Sequence, residues 1–494
     1  MLLQIRKPVT TFAAPCRHRR VGDHIVVTSI DGSYAILAPR EFESFVEGTV
    51  ARGSDLWRRL DGAHLIRETF DPSRVAERLR RRREFLAYGP NLHVLVVTLR
   101  CNTTCVYCHA SRAPMDARET DMSPAVASKC IDLALASTSP GITIEFQGGE
   151  PLANFDVVKH AIEYAIAANR AAGKALGFTL VSNLSLMDDE KLAFLVDHKV
   201  QICTSIDGPA QLHDHQRKLA GGGGFASAAR WIERINHAYE ARGMDAMLYH
   251  VEALLTTTRE TLPRWREVVD TYRSLGCRAI FLRPLDPFGF AERTSARLEY
   301  PRDEFLAFYR SAVDYMLELN GRGEQILERF AAIFLAKILD GRDPNYLDIR
   351  NPCGAGIGQI AYNYDGSIFT CDEGRMLHAM GDETFRIGHV ETSRYREITG
   401  HATVRAMALA SNLDAQPDCV QCAWQPYCGV CPVHSHRTQG TLFGRMRESS
   451  LCAVHKGIQD YLFEKIAAND PATMDSLRKW TTVRERPGFV HPAR

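Results

Sequence analysis

Leu99-Arg100-Cys101-Asn102-Thr103-Thr104-Cys105-Val106-Tyr107-Cys108-His109 sets three thiols at a Cys-x3-Cys-x2-Cys spacing. The apolar run Leu92 to Leu99 before it reads as a buried strand, so a strand hands over directly to a loop of three soft ligands. Thiolates suit Zn2+, Cu(I) and iron–sulfur clusters. A closed structural zinc site wants four ligands, commonly from paired Cys-x2-Cys knuckles, and nothing beside this loop supplies the fourth. Three cysteines around a cubane cluster would instead leave one iron open to another ligand.

The composition bounds the rest. The chain has 494 residues, 45% hydrophobic and 24% charged, which is the profile of an ordinary globular protein with room for several domains. Sixty Lys and Arg against 59 Asp and Glu give a net charge of +1, so no whole-chain field draws it to nucleic acid. No apolar run reaches the roughly 18 residues of a membrane span, and the first residues lack the pattern of a secretory signal. A cytoplasmic location is expected. Of 14 cysteines, ten fall in three groups, which in that compartment points to metal binding more than to disulfides.

Upstream of the loop, Val21 to Ser29 and Ser33 to Leu37 alternate as strands around an Asp31-Gly32 turn signal, and helical pieces follow at Glu41 to Val46, Ser54 to Leu60 and Asp71 to Leu86. The basic run Arg78 to Arg83 is expected to be a solvated helix face. Downstream, strands at Leu92–Leu99, Ile142–Phe146, Phe178–Ser182, Gln201–Ile206, Ala246–Leu255 and Ala279–Leu282 alternate with helices such as Pro124–Ala136, Phe155–Ala171 and Leu262–Leu275. Such alternation predicts crossovers and a parallel sheet, and six units fit an α/β partial (β/α)6 TIM-type barrel. Its chemistry belongs in the loops after the strands, where the cysteine loop falls. Gly221 to Gly224, with no Lys-Ser/Thr behind it, reads as a flexible loop. Helices are expected at Phe305–Leu319 and Glu324–Leu339, and cysteines return at 353, 371, 419, 422, 428, 431 and 452. The expected units are residues 1–90, 91–285 for the barrel, a helical linker 286–350, a cysteine-rich domain 351–460 and a tail 461–494.

The second strand of the barrel ends in Gln147-Gly148-Gly149-Glu150-Pro151. Two glycines allow close backbone approach, and a carboxylate beside them can hold an ammonium group. CNTTCVYC with an aromatic before its last cysteine, followed one strand later by GGEP, resembles the radical S-adenosylmethionine (SAM) enzymes. That resemblance implies a [4Fe-4S] cluster on Cys101, Cys105 and Cys108 whose open iron chelates SAM. It further implies SAM contacts from Tyr107, Gly148, Gly149, Glu150 and Pro151, and from later strand ends at Ser182, Asn183, Ser205, Asp207 and Arg283.

Cys353, then Gly366-x4-Cys371, then Cys419-x2-Cys422-x5-Cys428-x2-Cys431 and Cys452 resembles the SPASM domain. The likeness implies two auxiliary [4Fe-4S] clusters, the first on Cys353, Cys371 and Cys431, the second on Cys419, Cys422, Cys428 and Cys452. The pattern usually has three residues between its last paired cysteines where this chain has two. A pair of zinc sites is the alternative. His434, His436 and His455 read as bystanders, and Cys16, Cys130, Cys203 and Cys277 as small core residues. The N-terminal order of sheet and helices resembles the winged-helix-like α+β domains that capture leader peptides by strand addition, a plain cap on the barrel being the alternative.

Nearly the whole chain, through TLRCNTTCVYCHASR, ITIEFQGGEPLANFD, FLRPLDPFGFA, GAGIGQIAYNYDGSIFTCDEGRM and CAWQPYCG, resembles the HxsB maturase family of the His-Xaa-Ser peptide systems. The resemblance implies a SAM-dependent oxidoreductase that modifies a ribosomally made precursor peptide through a 5′-deoxyadenosyl radical. Its implied partners are that peptide, a flavodoxin- or ferredoxin-type electron donor and a second radical SAM protein, with no nucleic acid and no membrane. The alternatives are a sulfatase-maturase-like enzyme acting on a folded protein and a non-catalytic iron–sulfur scaffold. No residue is singled out as the catalytic acid or base.

Overall fold

The computed structural model describes residues 12–246, 249–344, 349–482 and 490–491. The N-terminal unit is an antiparallel sheet of β1 (Cys16–Val21), β2 (His24–Ser29) and β3 (Tyr34–Leu37), with helices Pro39–Glu47, Asp55–Gly62 and Pro72–Arg82. Val21 to Ser29 is therefore not one strand: Gly22, at φ 56°, and Asp23 turn the chain, and β1 precedes them. CRHRRV carries cations on both faces and shows no apolar alternation, so β1 has no strand signal in the sequence. The Asp31-Gly32 turn is present, its Asp31 carboxylate accepting from Ser33 N at 3.0 Å and Ser29 Oγ. Val27, Leu37, Phe45, Leu60 and Leu65 close a small core.

The basic helix is not simply solvated. Arg80 and Arg81 pair with Glu77 on its outer face, but Arg78 reaches Asp31 at 3.3 Å, Arg83 reaches Asp414 at 2.6 Å, and Arg82 lies 5.7 Å over the Tyr427 ring. With Tyr427 Oη donating to Gly32 O and Thr28 Oγ1 to Ala423 O, both at 2.9 Å, the Arg82 and Arg83 contacts seat the N-terminal unit on residues 414–428 of the cysteine-rich segment.

β4 (Leu92–Thr98) leads into the cysteine loop and its short β5 (Thr103–Cys105). β6 (Gly141–Gly148), β7 (Ala175–Val181), β8 (Val200–Ser205), the short β9 (Arg217–Leu219), β10 (Glu252–Thr256), β11 (Ala279–Ile280) and β12 (Leu282–Arg283) follow. β4, β6, β7, β8, β10 and β12 pair in chain order and in parallel, as the alternation predicts. The expected strand from Ala246 is confined to Glu252–Thr256, and its positions 247 and 248 lie outside the described residues. A parallel sheet covered on both faces reads as continuous apolar runs. Here β6 and β8 alternate instead: Ile142, Ile144, Phe146 and Ile202 are buried, while Thr143, Glu145, Gln147, Gln201 and Cys203 stay half-buried. One face is core; on the other, the polar side chains of β6 and β8 stand beside the buried Val94 and Val96 of β4.

β13 (Leu327–Glu328) pairs with β11, so the helix expected from Glu324 starts at Arg329, where the Glu328 side chain accepts from Ala331 N at 2.7 Å. β14 (Gln359–Tyr362) then runs parallel beside β4, and β15 (Ser367–Phe369) and β16 (Arg386–His389) continue antiparallel. The cysteine-rich segment thus extends the central sheet rather than standing apart. Helix Ser450–Ala468 runs through the boundary expected at 460, and Tyr461, Leu462, Leu477 and Trp480 are buried, because it and Pro471–Trp480 pack on the linker helices Arg302–Gly321 and Arg329–Leu339. Much of the expected tail is core, and β17 (Val490–His491) pairs with the start of β7. Among the described residues, no helix is long and apolar enough to cross a membrane.

Candidate active site

The cysteine loop is fixed from its base upward. Arg100 is 5% exposed and forks onto Asp121 with two contacts of 2.7 Å, while its Nη2 also donates to Ala153 O at 2.7 Å. Gly149 N donates to Thr98 O at 2.8 Å and Glu150 N to Arg100 O at 2.7 Å. The two glycines serve this contact first. A Cβ on Gly148, at φ 142°, would stand 2.1 Å from Thr98 O, and one on Gly149 would stand 2.4 Å from the carbonyls of Leu99 and Arg100. The GGEP turn is packed against the loop before any ligand approaches.

Glu150 is fully buried. Its Oε1 accepts from Leu152 N at 3.0 Å and Ser182 Oγ at 2.7 Å, and its Oε2 from Asn183 N at 2.8 Å, which leaves Oε2 room for another donor. Burial pushes this carboxyl up to about 7 despite those three hydrogen bonds. Asn183 Nδ2 donates to Thr103 Oγ1 at 2.9 Å and Asn102 Oδ1 at 3.1 Å, with Cys101 Sγ 3.9 Å away. Ser182 and Asn183 are therefore brought to the loop, one orienting Glu150 and the other bracing the cysteines. Among the described residues Ser205 makes no hydrogen bond through its hydroxyl, at the end of β8 on the polar face.

Tyr107 and Asp207 meet each other. Tyr107 Oη donates to the fully buried Asp207 carboxylate, Arg217 Nε donates to the same Oδ2 at 3.1 Å, and the Arg217 guanidinium lies 5.2 Å from the Tyr107 ring centre. Backbone register enforces the meeting, because β5 pairs with β9 and sets Cys105 opposite Arg217. Both side chains form a clamp on the cysteine loop, and Arg217 belongs to it without having been marked in the sequence. Two sequence-distant residues with no local motif give no signal of such a contact. Arg283 stands 3.8 Å from Asp286 and lines a small cavity of about 40 Å3 with Asp286, Phe288, Glu373, Cys431 and His434. The FLRPLDPFGFA stretch also grips the loop: Phe290 N donates to Cys108 O at 2.8 Å, and a Cβ on Gly289, at φ 61°, would stand 2.5 Å from the carbonyls of Cys108 and His109.

The C-terminal cysteines fall into two separate sets. Cys353, Cys371 and Cys431 share one apolar cluster with Phe288, Leu377, Phe385, Met407 and Val433. Cys371 Sγ accepts from Gly374 N at 3.3 Å and Cys431 Sγ from His434 N at 3.4 Å, each capping a helix. Cys419, Cys428 and Cys452 pack together with Leu413, Val430 and Met446, and Cys422 interacts with all three. His455 Nδ1 is 4.0 Å from Cys428 Sγ. The donor sets fit iron–sulfur clusters chemically. Burial and neighbouring thiols push Cys101, Cys105 and Cys419 up to about 12 and raise Cys371 and Cys428 as well. Thiols so crowded resist ionisation until a cation arrives to offset their charge. Among the described residues no three or more His, Cys, Asp or Glu form a ready cage for a single metal ion. Cys130 and Cys277 are buried core residues, whereas Cys16 and Cys203 are partly exposed.

Burial also fixes a pH response of the metal-free chain. Glu150 and Glu328 are both raised to about 7 in the fold, so between the ordinary carboxylate range and pH 7 the folded state holds protons that the unfolded chain has lost. Their contribution to stability is fully present below the unfolded value and is lost as pH rises through 7, while the buried His93, His213 and His455, lowered to about 4, contribute in the opposite direction as pH rises. The Tm of apo wild type minus that of Glu328→Gln is therefore expected to fall between pH 5 and 7 and to level off by pH 8; a difference that grows across that window contradicts this assignment.

Residues 95–253 match the Radical SAM superfamily. The AdoMet-dependent heme synthase of Oleidesulfovibrio alaskensis is 25% identical over 72% of this chain and 85% of its own length. The cysteine-type anaerobic sulfatase-maturating enzyme of Clostridium perfringens is 22% identical over 67% of this chain and 85% of its own. In fold, anSMEcpe with bound AdoMet superposes with a TM-score of 0.63 at 19% identity, over 78% of this chain and 99% of that one. Streptococcus suis SuiB bound to precursor peptide SuiA gives 0.53 at 12% identity, over 90% and 99%.

Proposed function

Because the chain is a radical SAM enzyme, we propose that it modifies a ribosomally made peptide after translation, as an HxsB-like maturase with two auxiliary clusters. The observation that carries this reading is the cavity between Arg283 and Asp286, at the ends of the barrel strands, and Cys431, Glu373 and His434 of the first auxiliary set. A substrate residue brought to the mouth of this small cavity lies between the SAM side and a second redox centre. Bound at the cysteine loop, the cluster and SAM supply a 5′-deoxyadenosyl radical for hydrogen abstraction. Glu150 Oε2 offers the free acceptor for the SAM ammonium, with Ser182 and Asn183 holding its carboxylate in place. The Tyr107–Asp207–Arg217 clamp and Arg100–Asp121 fix the loop so that its thiols keep their spacing.

The N-terminal sheet suits leader-peptide capture. β3 is its outer strand, opposite β1, and main-chain hydrogen bonding along an edge binds an extended peptide. An electron donor of flavodoxin or ferredoxin type, and a second radical SAM protein, complete the system. The sulfatase-maturating relative favours a second reading, action on a folded protein. The test is to give the anaerobically reconstituted full-length protein SAM, reductant and the short peptides encoded beside its gene. A SAM-dependent mass change in one of those peptides is expected. Modification of a folded sulfatase-type protein with every peptide unchanged would favour the second reading instead.

A further inference from the structure

Arg17 and Arg19 stand two residues apart on β1, so their side chains leave the same face of the strand. That face lies on the second auxiliary set. Arg17 Nε donates at 2.6 Å to the carbonyl of Val420, between Cys419 and Cys422, and Arg19 forks onto Asp460 with two contacts of 2.6 Å. Asp460 sits two turns beyond Cys452 on helix Ser450–Ala468 and also accepts from Trp424 Nε1 at 2.8 Å. The Arg17 charge acts on Cys422, and the Arg19 charge on Cys422 and Cys452.

One atom in this contact has no partner. Arg17 Nη1 is buried and meets no acceptor among the described residues. Leaving a buried donor unsatisfied costs roughly 1–3 kcal/mol, and the Nε contact to Val420 leaves Nη1 unsatisfied. Cluster sulfurs accept N–H hydrogen bonds, and both such bonds and adjacent positive charge raise a cluster's reduction potential. Asp460 offsets much of the Arg19 charge, and Asp414, without a hydrogen bond to Arg17, acts on it more strongly than Cys422 does and offsets part of its charge.

Resting on the reading of Cys419, Cys422, Cys428 and Cys452 as a cluster site, we propose that Arg17 donates its Nη1–H to a sulfur of that cluster, so that the N-terminal domain tunes the potential of the second auxiliary centre. The same strand seats the peptide-binding unit and reaches the cluster. Arg17 is a positioning and tuning residue, not a catalytic one.

Potentiometric titration of the reconstituted full-length protein, followed by electron paramagnetic resonance, tests this. The signal of the second auxiliary cluster is the one lost in Cys422→Ser. In Arg17→Met that signal is expected at a lower potential than in wild type, with iron content and the remaining signals unchanged, while Arg20→Gln, an exposed neighbour on the opposite face, leaves it in place. Should Arg17→Met fail to hold the cluster, Arg17→Lys keeps the stem and charge but not Nη1, and an intermediate potential is expected. An unchanged potential in either Arg17 variant with the signal intact overturns the proposal, as does an equal shift of every cluster signal. A wild type in which no iron depends on Cys422 removes the site assignment itself.

Discussion

Replacing Cys101, Cys105 and Cys108 together with Ala is expected to remove about four iron atoms per chain, to abolish SAM cleavage and to leave the iron held by the seven C-terminal cysteines. The physical ground is separation. The three loop thiols interact with one another, the sets Cys353, Cys371, Cys431 and Cys419, Cys422, Cys428, Cys452 each cohere, and the two C-terminal sets lie in distinct packed clusters. Iron and sulfide analysis beside a 5′-deoxyadenosine assay checks both halves. Retention of SAM cleavage in the triple variant would place the open-iron cluster elsewhere. Loss of all iron would mean that the sites assemble as one.

Asp207→Ala carries the second large effect. It strands the Arg217 guanidinium, 13% exposed, beside the Tyr107 ring with its charge uncompensated. Breaking a buried pair by removing one partner costs roughly 3–5 kcal/mol, so the variant is expected to unfold at clearly lower denaturant and to reconstitute the loop cluster poorly. Tyr107→Phe deletes one hydrogen bond to the same carboxylate and is expected to cost less, roughly 1.5–3 kcal/mol. Denaturant titration of both variants, with iron content measured in parallel, distinguishes a clamp from a SAM contact. An Asp207→Ala protein of wild-type stability that binds SAM weakly would assign Asp207 to the ligand instead.

The part of the site legible in the sequence is the part whose geometry is local. Cys101, Cys105 and Cys108 share one loop, and Gly148 to Pro151 follow one strand later, so spacing alone exposes them. The glycines illustrate the limit. Their pattern signals close backbone approach, but only the fold shows that the carbonyls of Thr98, Leu99 and Arg100 fill that space. Arg217 and Asp121 were invisible because each acts through a partner far away in the chain. β1 is hidden for a related reason: its arginines find their role only when Asp460 and Val420 are brought against them. The C-terminal helices looked like a tail because their apolar faces have meaning only against the linker helices they cover.

The polar inner face of the sheet was also out of reach of simple pattern reading. Alternation in β6 and β8 separates Glu145, Gln147 and Gln201 from the buried Ile144, Phe146 and Ile202, and this leaves a polar wall where a fully covered parallel sheet would be apolar. Polar side chains on the face from which the cysteine loop emerges suit a polar ligand. It follows from side-chain period two combined with register, and register is a property of the folded sheet.

The central claim is that the Cys101 loop and the Glu150 turn form a working radical SAM centre. Its most direct test is release of 5′-deoxyadenosine by the anaerobically reconstituted full-length protein supplied with dithionite and SAM. SAM-dependent 5′-deoxyadenosine, absent when Cys105 alone is changed to Ala, is the predicted result. Protein with its full iron and sulfide content that binds SAM but releases none, with reductant and precursor peptide both present, would contradict it.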